Sequence, residues 1–215
     1  MAQIFPERLN TLPLAVGLGA PLGLLGAVAL VWYFFSPWYT QVGYQPVQPV
    51  PYSHKLHAGD LEINCRYCHA AVETSAVASV PPTQVCMNCH QLSMKDSPLL
   101  QPIRDSAASN QPMEWVRVHE LADYVYFNHA AHLHGGVGCV ECHGRIDQME
   151  VVRQEQPLSM GWCLECHRDP GPRLRPLDQV TNMRWAPSAA QAEFAAQLIA
   201  ERDIKPPTDC EGCHR

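Results

Sequence analysis

The chain has 215 residues, ten of them cysteine and eleven histidine, and a formal net charge of −6. A modestly acidic balance gives nucleic-acid binding no support. Nineteen prolines and thirteen glycines argue for loops, so regular structure is expected to be sparse.

Residues 1–13 read as a short cytoplasmic N-terminus, followed by a transmembrane helix over 14–35. Leu14 to Phe35 runs for 22 residues without a charge. At about 1.5 Å per residue such a helix crosses the ~30 Å hydrocarbon layer. It ends in Trp32, Tyr33, Phe34 and Phe35, then Trp38 and Tyr39, which reads as an aromatic interface belt. Gly17, Gly19, Gly23, Gly26 and Pro21 are tolerated in membrane helices, and Gly19-x-x-x-Gly23 would seat another helix closely. The competing reading is a cleaved signal peptide ending at Ala27-Val28-Ala29. Cleavage there would leave Leu30 to Phe35 as an exposed apolar end, and the run is longer than a usual signal core. An uncleaved single-pass anchor is therefore expected. Residues 36–51 follow as a linker, stiffened and extended by Pro46, Pro49 and Pro51, that lifts the rest off the lipid surface.

Residues 52–215 hold all the cysteine. The pattern Cys-x-x-Cys-His occurs five times, at Cys65–His69, Cys86–His90, Cys139–His143, Cys163–His167 and Cys210–His214, and leaves no cysteine over. This is the attachment pattern of c-type haem. Residues three and four apart share one face of a helical turn. Cys65 and Cys68, Cys86 and Cys89, Cys139 and Cys142, Cys163 and Cys166, and Cys210 and Cys213 can therefore each form two thioethers to one porphyrin. His69, His90, His143, His167 and His214 then face the iron. Zinc knuckles need a second ligand pair at matching spacing, and an odd number of knuckles each ending in His does not supply it. Short-range Cys-x-x-Cys disulfides would staple little, and no thiolate remains for an iron–sulfur cluster. Five covalently bound haem c groups are the expectation.

Six histidines lie outside the motifs: His54, His57, His119, His129, His132 and His134. Five irons need five further ligands to be six-coordinate. Tyr52-Ser53-His54-Lys55-Leu56-His57 and Phe127-Asn128-His129-Ala130-Ala131-His132 repeat one design, an aromatic followed by His-x-x-His, each shortly before a haem motif. His134 lies outside that unit, beside Gly135 and Gly136, and is the expected spare, with His132 as the alternative. His54 is the expected partner of His69, and His129 that of His143, because each lies just upstream. Met94, Met113, Met149, Met160 and Met183 are rival ligands on paper, and ordinary packing is the simpler role for each. With histidine enough to close every iron, the haems are expected to pass electrons and do no bond chemistry.

One haem per roughly 33 residues is too little chain for separate apolar cores. The fold class expected is mostly irregular and small α, a multihaem cytochrome c domain with haems as core, after one N-terminal transmembrane helix. Trp115 to His119 alternates and would suit a short strand. Ser188 to Asp203 reads as the longest helix of the domain, with Ser188 and Gln191 as a capping box, Phe194, Ala195, Leu198 and Ile199 as its apolar stripe, and Pro206 and Pro207 stopping it. Arg173, Arg175 and Arg184 are candidate partners for haem propionates.

Val80-Pro81-Pro82-Thr83-Gln84-Val85-Cys86-Met87-Asn88-Cys89-His90 resembles the pentahaem c-type cytochrome subunit of bacterial alternative complex III. So do Tyr124-Val125-Tyr126-Phe127-Asn128-His129-Ala130-Ala131-His132 and Ser159-Met160-Gly161-Trp162-Cys163-Leu164-Glu165-Cys166-His167. These motifs are shared with class III multihaem cytochromes generally. The resemblance covers nearly the whole chain and implies sixth ligands at His54, His57, His119, His129 and His132. It implies an electron-transfer subunit, not itself an enzyme, within a respiratory or photosynthetic chain. Membrane and iron–sulfur subunits would oxidise menaquinol, and this chain would pass electrons to a monohaem cytochrome, a copper protein or an oxidase. Haem attachment outside the cytoplasmic membrane would place the haem domain on the periplasmic or external face of a bacterial membrane. Arg8 before the span, and the lack of Lys or Arg from Ser36 to His54, agree with that orientation. The competing functions are a stand-alone quinol dehydrogenase cytochrome feeding a periplasmic reductase, and a multihaem reductase of a small substrate such as nitrite, which would need a five-coordinate haem.

Overall fold

The computed structural model describes residues 6–214, which divide into two compact units, Met1–Gln41 and Val42–Arg215. In the first, a 3₁₀ turn at Glu7–Thr11 leads into helix α1, Leu12–Phe34. Pro13 sits in the first turn of α1, where a missing N–H costs nothing. The helix buries none of its side chains and is apolar all round, the pattern of a helix without a water-facing side. It is long and apolar enough to cross a membrane. At Ser36 the chain turns into the short α2, Pro37–Thr40. The turn brings Tyr39 edge-on to Phe34 at 4.9 Å, and Phe34 in turn meets Tyr33 at 5.2 Å.

The second unit carries α3 (Cys65–Cys68), α4 (Thr83–His90), α5 (Gln101–Ser109), α6 (His129–His134), α7 (Cys139–His143), α8 (Met160–Arg168) and α9 (Gln191–Arg202). A π-helical stretch at Lys55–Asp60 precedes α3. Among the described residues there are no strands, only isolated bridges between Val125 and His214 and between Val137 and Leu174. The buried apolar side chains described are few: Val50, Val72, Ile103, Leu133, Met149, Leu174, Val180, Ala195 and Leu198. Only Val72, Leu133 and Val180 form a contiguous cluster. Protein side chains alone therefore supply little of the core that a unit this size requires.

Three expectations are corrected. Residues 42–51 are extended, but they are not a free linker. Gly43 donates to the Gln154 carbonyl at 2.8 Å, Gln154 returns a bond to Tyr44 at 3.0 Å, Gln45 reaches the Val151 carbonyl at 2.8 Å, and Val50 is 2% exposed. The unit boundary thus falls after Gln41, because these backbone groups are satisfied by the domain. Trp115 to His119 is not a strand. The Val116 N–H and C=O pair with the side-chain amide of Gln48, at 3.0 and 2.8 Å, in place of a neighbouring backbone. The long helix begins at Gln191 with no side-chain cap, and the Ser188–Gln191 box does not form. The Gln191 amide donates instead to the carbonyls of Gly171 and Leu174, at 2.9 and 2.8 Å. That bond docks α9 on the turn Gly171–Arg173, with Ala195 and Leu198 buried and Phe194 and Ile199 half-buried.

The π-helix sits hard against the 3₁₀ turn Ile146–Gln148. Lys55 donates to the Met149 carbonyl at 3.0 Å, and a Cβ on Gly59 would lie 2.3 Å from the Asp147 carbonyl oxygen. Only glycine permits that approach.

Candidate haem sites

Each motif is one helical turn. In α3 the side chain of Asn64 accepts from the Arg66 N–H and His69 donates to the Cys65 carbonyl at 2.8 Å. Motifs two and four extend into the longer α4 and α8, with Ser159 capping α8 through the Trp162 N–H. Motif three is α7. Motif five is a lone turn, in which Cys213 and His214 both donate to the Cys210 carbonyl, at 3.3 and 2.9 Å, and Asp209 caps Gly212. Every motif therefore presents its two thiols and its imidazole from one turn. All ten cysteines are free.

Seven of the histidines follow one rule. The Nδ1 of His57 lies 2.8 Å from the Ser53 carbonyl, that of His69 2.7 Å from Ser79, and that of His90 3.1 Å from Ser93. The Nδ1 of His129 faces the Ala76 carbonyl at 2.9 Å, and that of His132 faces Asn128 at 2.8 Å. His167 faces Pro207 at 2.7 Å and His214 faces Tyr124 at 3.3 Å. A carbonyl only accepts, so Nδ1 must carry the proton and Nε2 keeps its lone pair for a metal. His119 leaves its buried Nε2 without a partner, and His54 and His143 leave their buried Nδ1 atoms so. His134 is exposed and contributes its carbonyl to Arg202.

Burial favours the neutral ring, the state a ligand needs, at His54, His119, His132 and His143. It lowers His54 and His119 to about 4 and His143 to about 3, each with a lesser push from neighbouring histidines. His132 is lowered by the same cause. In motif three burial also pushes Cys142 up to about 12.

An iron bonded on both sides at about 2 Å puts two imidazole centres roughly 6 Å apart. His57 and His90 are 6.1 Å apart, His132 and His167 6.1 Å, and His129 and His143 6.4 Å with nearly parallel planes. The residues thus fit an iron in three places. His119 stands edge-on to His143 at 4.4 Å, too close to share an iron with it in this arrangement. The ring neighbour of His214 is Tyr124, at 5.6 Å.

The two aromatic-His-x-x-His units are copies in space as well as in sequence. Tyr52 lies face-on to His57 at 4.5 Å and edge-on to His54 at 4.8 Å. Phe127 lies over His132 at 4.4 Å and edge-on to His129 at 4.7 Å. In both units the second histidine bonds the carbonyl four residues back. Ser53 and Asn128 also cap these turns through their side chains, Ser53 Oγ accepting from the Leu56 N–H at 3.0 Å and Asn128 Oδ1 from the Ala131 N–H at 3.2 Å, a signal that the N-cap preference for Ser and Asn carries.

Two of the three arginines expected at propionates bind motif glutamates. Arg175, whose side chain is 2% exposed, pairs with Glu141 of motif three, donates to the Asn182 carbonyl at 3.1 Å and stacks on Trp185 at 4.7 Å. Arg173 pairs with Glu165 of motif four at 3.3 Å and stacks on Trp162 at 5.7 Å. Arg184 lines a groove with Lys55, Asp147 and Glu150. Of the candidate methionines, Met149 is core packing, while Met94 and Met160 are exposed. Among the described residues no three His, Cys, Asp or Glu side chains converge on a directly bound metal ion.

A short-helix, strand-poor domain organised around repeated Cys-x-x-Cys-His turns is a multihaem cytochrome c domain. Residues 125–215 match the family model described as cytochrome c7 and related cytochrome c. That span takes in the second His-x-x-His unit and motifs three to five, and the family implies covalently bound haem c. The chain is also 31% identical over 132 residues to the multihaem cytochrome c subunit of a menaquinone reductase from Nitratidesulfovibrio vulgaris strain Hildenborough. The matched stretch is 60% of this chain and 60% of that relative, so the chain spans less than two thirds of the relative's length.

Proposed function

We propose that this protein is a membrane-anchored pentahaem cytochrome c that relays electrons between a quinol-handling membrane complex and acceptors outside the cytoplasmic membrane. The observation that carries it is the joint geometry of five Cys-x-x-Cys-His turns and opposed imidazoles at iron-spanning distance. Bound haem supplies one-electron iron chemistry. The chain's own residues do the rest. Cys65, Cys68, Cys86, Cys89, Cys139, Cys142, Cys163, Cys166, Cys210 and Cys213 tether the porphyrins. His69, His90, His143, His167 and His214 would each hold one haem iron, and His57 near His90, His129 near His143 and His132 near His167 would supply second ligands, as the ring spacings support. His54, just upstream of motif one, pairs with His69, and His119 completes the set. His134, exposed, is the spare. Closing both sides of each iron leaves no open position for substrate, so the subunit conducts and does not catalyse.

In this reading residues 1–13 are cytoplasmic, 14–35 span the bacterial membrane once, and the haem domain faces the periplasm or exterior. The partners are membrane and iron–sulfur subunits like those of alternative complex III, with a monohaem cytochrome, copper protein or oxidase downstream. The relative's description as a menaquinone reductase subunit supports the quinone connection. It also favours a second reading, in which electrons run inward, from an external donor to menaquinone. The purified native complex distinguishes the two. Menaquinol-dependent reduction of the haems, followed by their reoxidation by an external carrier, is expected. Haem reduction only from the external donor, with menaquinone as acceptor, establishes the second. An isolated subunit that oxidises menaquinol unaided defeats the relay.

A further inference from the structure

The five motifs do not lie in space in the order in which they occur along the chain. We propose that they form a single file in the order two, one, three, four, five, with motifs two and five as the two docking ends and motif three enclosed at the centre. This rests on the five-haem reading above and deepens it by saying where electrons enter and leave.

Each adjacency has its own contact. Between motifs two and one, the Asn88 amide donates to the Tyr67 hydroxyl at 2.9 Å, and both residues lie between the paired cysteines of their motifs. Between one and three, consecutive residues of one segment tie both. Arg66 donates to the Thr181 hydroxyl at 3.3 Å, and the Val180 carbonyl accepts from the Cys139 N–H at 3.0 Å. Between three and four, a three-residue stretch holds both motifs, through Arg175 on Glu141 and Arg173 on Glu165. Between four and five, the Pro207 carbonyl accepts from His167 at 2.7 Å, while the Pro207 ring packs so closely on Gly212 that a Cβ there would lie 2.3 Å from it.

Exposure agrees independently at the ends and at the centre of that order. Cys89 and Cys210 are the exposed cysteines, in motifs two and five, and the other eight are partly buried. In motif three no residue is exposed. In this arrangement the two end motifs are the ones open to a one-electron carrier, and motif three is the one covered. Transfer along the file moves one electron per step. A reduced one-electron carrier is oxidised at one end and an oxidised one is reduced at the other, with no bond or proton changing hands.

Anomalous diffraction at the iron edge, from crystals of the full-length holoprotein, tests this, with the haem count of the same sample taken by mass spectrometry. The expected map has five irons whose nearest-neighbour sequence, traced through the attached cysteines, is two–one–three–four–five. Five irons in any other sequence, or motif three at an end, overturn the proposal and leave the pentahaem reading standing. Fewer than five haems by mass overturns the pentahaem reading, and the file with it.

Discussion

A single carbonyl, four residues upstream, decides what His57 and His132 can do. By taking the Nδ1 proton it leaves Nε2 as the free lone pair, and Tyr52 or Phe127 against the ring face holds the plane. Removing such a ring should open one iron without detaching its porphyrin. His132→Ala is therefore expected to retain five haems by mass while converting about one-fifth of the low-spin signal to high-spin in electron paramagnetic resonance. His134→Ala is expected to leave the spectrum unchanged, and the reverse result would exchange their roles. Asp147 illustrates a different residue-scale effect. The Arg145 guanidinium, bonded to both carboxylate oxygens at 2.8 Å, holds the carboxyl below its ordinary range against the opposing effect of burial. A depressed carboxyl contributes stability at pH values above its unfolded pKa, and that stability is lost as pH falls through the folded value. The Tm difference between the wild-type holoprotein and Asp147→Asn should thus be greatest near neutral pH and shrink as pH drops below about 4. A difference that grows on acidification would contradict it.

At the scale of elements, the motif helices are too short to be stable alone, so their neighbours hold them. Gly138, which precedes α7, is buried, and a Cβ there would fall 2.2 Å from the Arg175 guanidinium. Gly138→Ala is expected to displace Arg175 from Glu141, costing on the order of 1–3 kcal/mol, visible as a lowered Tm. Gly161→Ala in α8, where the new methyl meets nothing within 4 Å, should be neutral or slightly stabilising. Equal losses at both sites would remove the special role of Arg175. The long helix shows the limit of local reasoning. Its apolar stripe was legible in the spacing of Phe194, Ala195, Leu198 and Ile199. Its cap was not, because the Gln191 amide finds the Gly171 and Leu174 carbonyls, seventeen to twenty residues away, better placed than its own first turn.

For the whole molecule, two units divide the work: an apolar helix buried in nothing of its own, and a domain whose described apolar core is small. A version starting at Val42, exported behind a cleavable leader, is expected to carry the same five-haem absorption spectrum but to fractionate as soluble protein, while the full chain stays with membranes. Loss of haem from the shortened chain would show that the anchor unit is needed for the fold.

Thioether and proximal-histidine chemistry is contained within five consecutive residues on one turn, so the sequence alone determines the motifs, their number and the apolar span before them. The same holds for the repeated His-x-x-His design, whose spacing is its geometry. That His57 lies near His90, His129 near His143 and His132 near His167, which motifs touch, and that Arg173 and Arg175 bind motif glutamates came only from the fold. Those contacts join residues tens of positions apart, and nothing in the local chain selects one distant partner over another until packing brings them together.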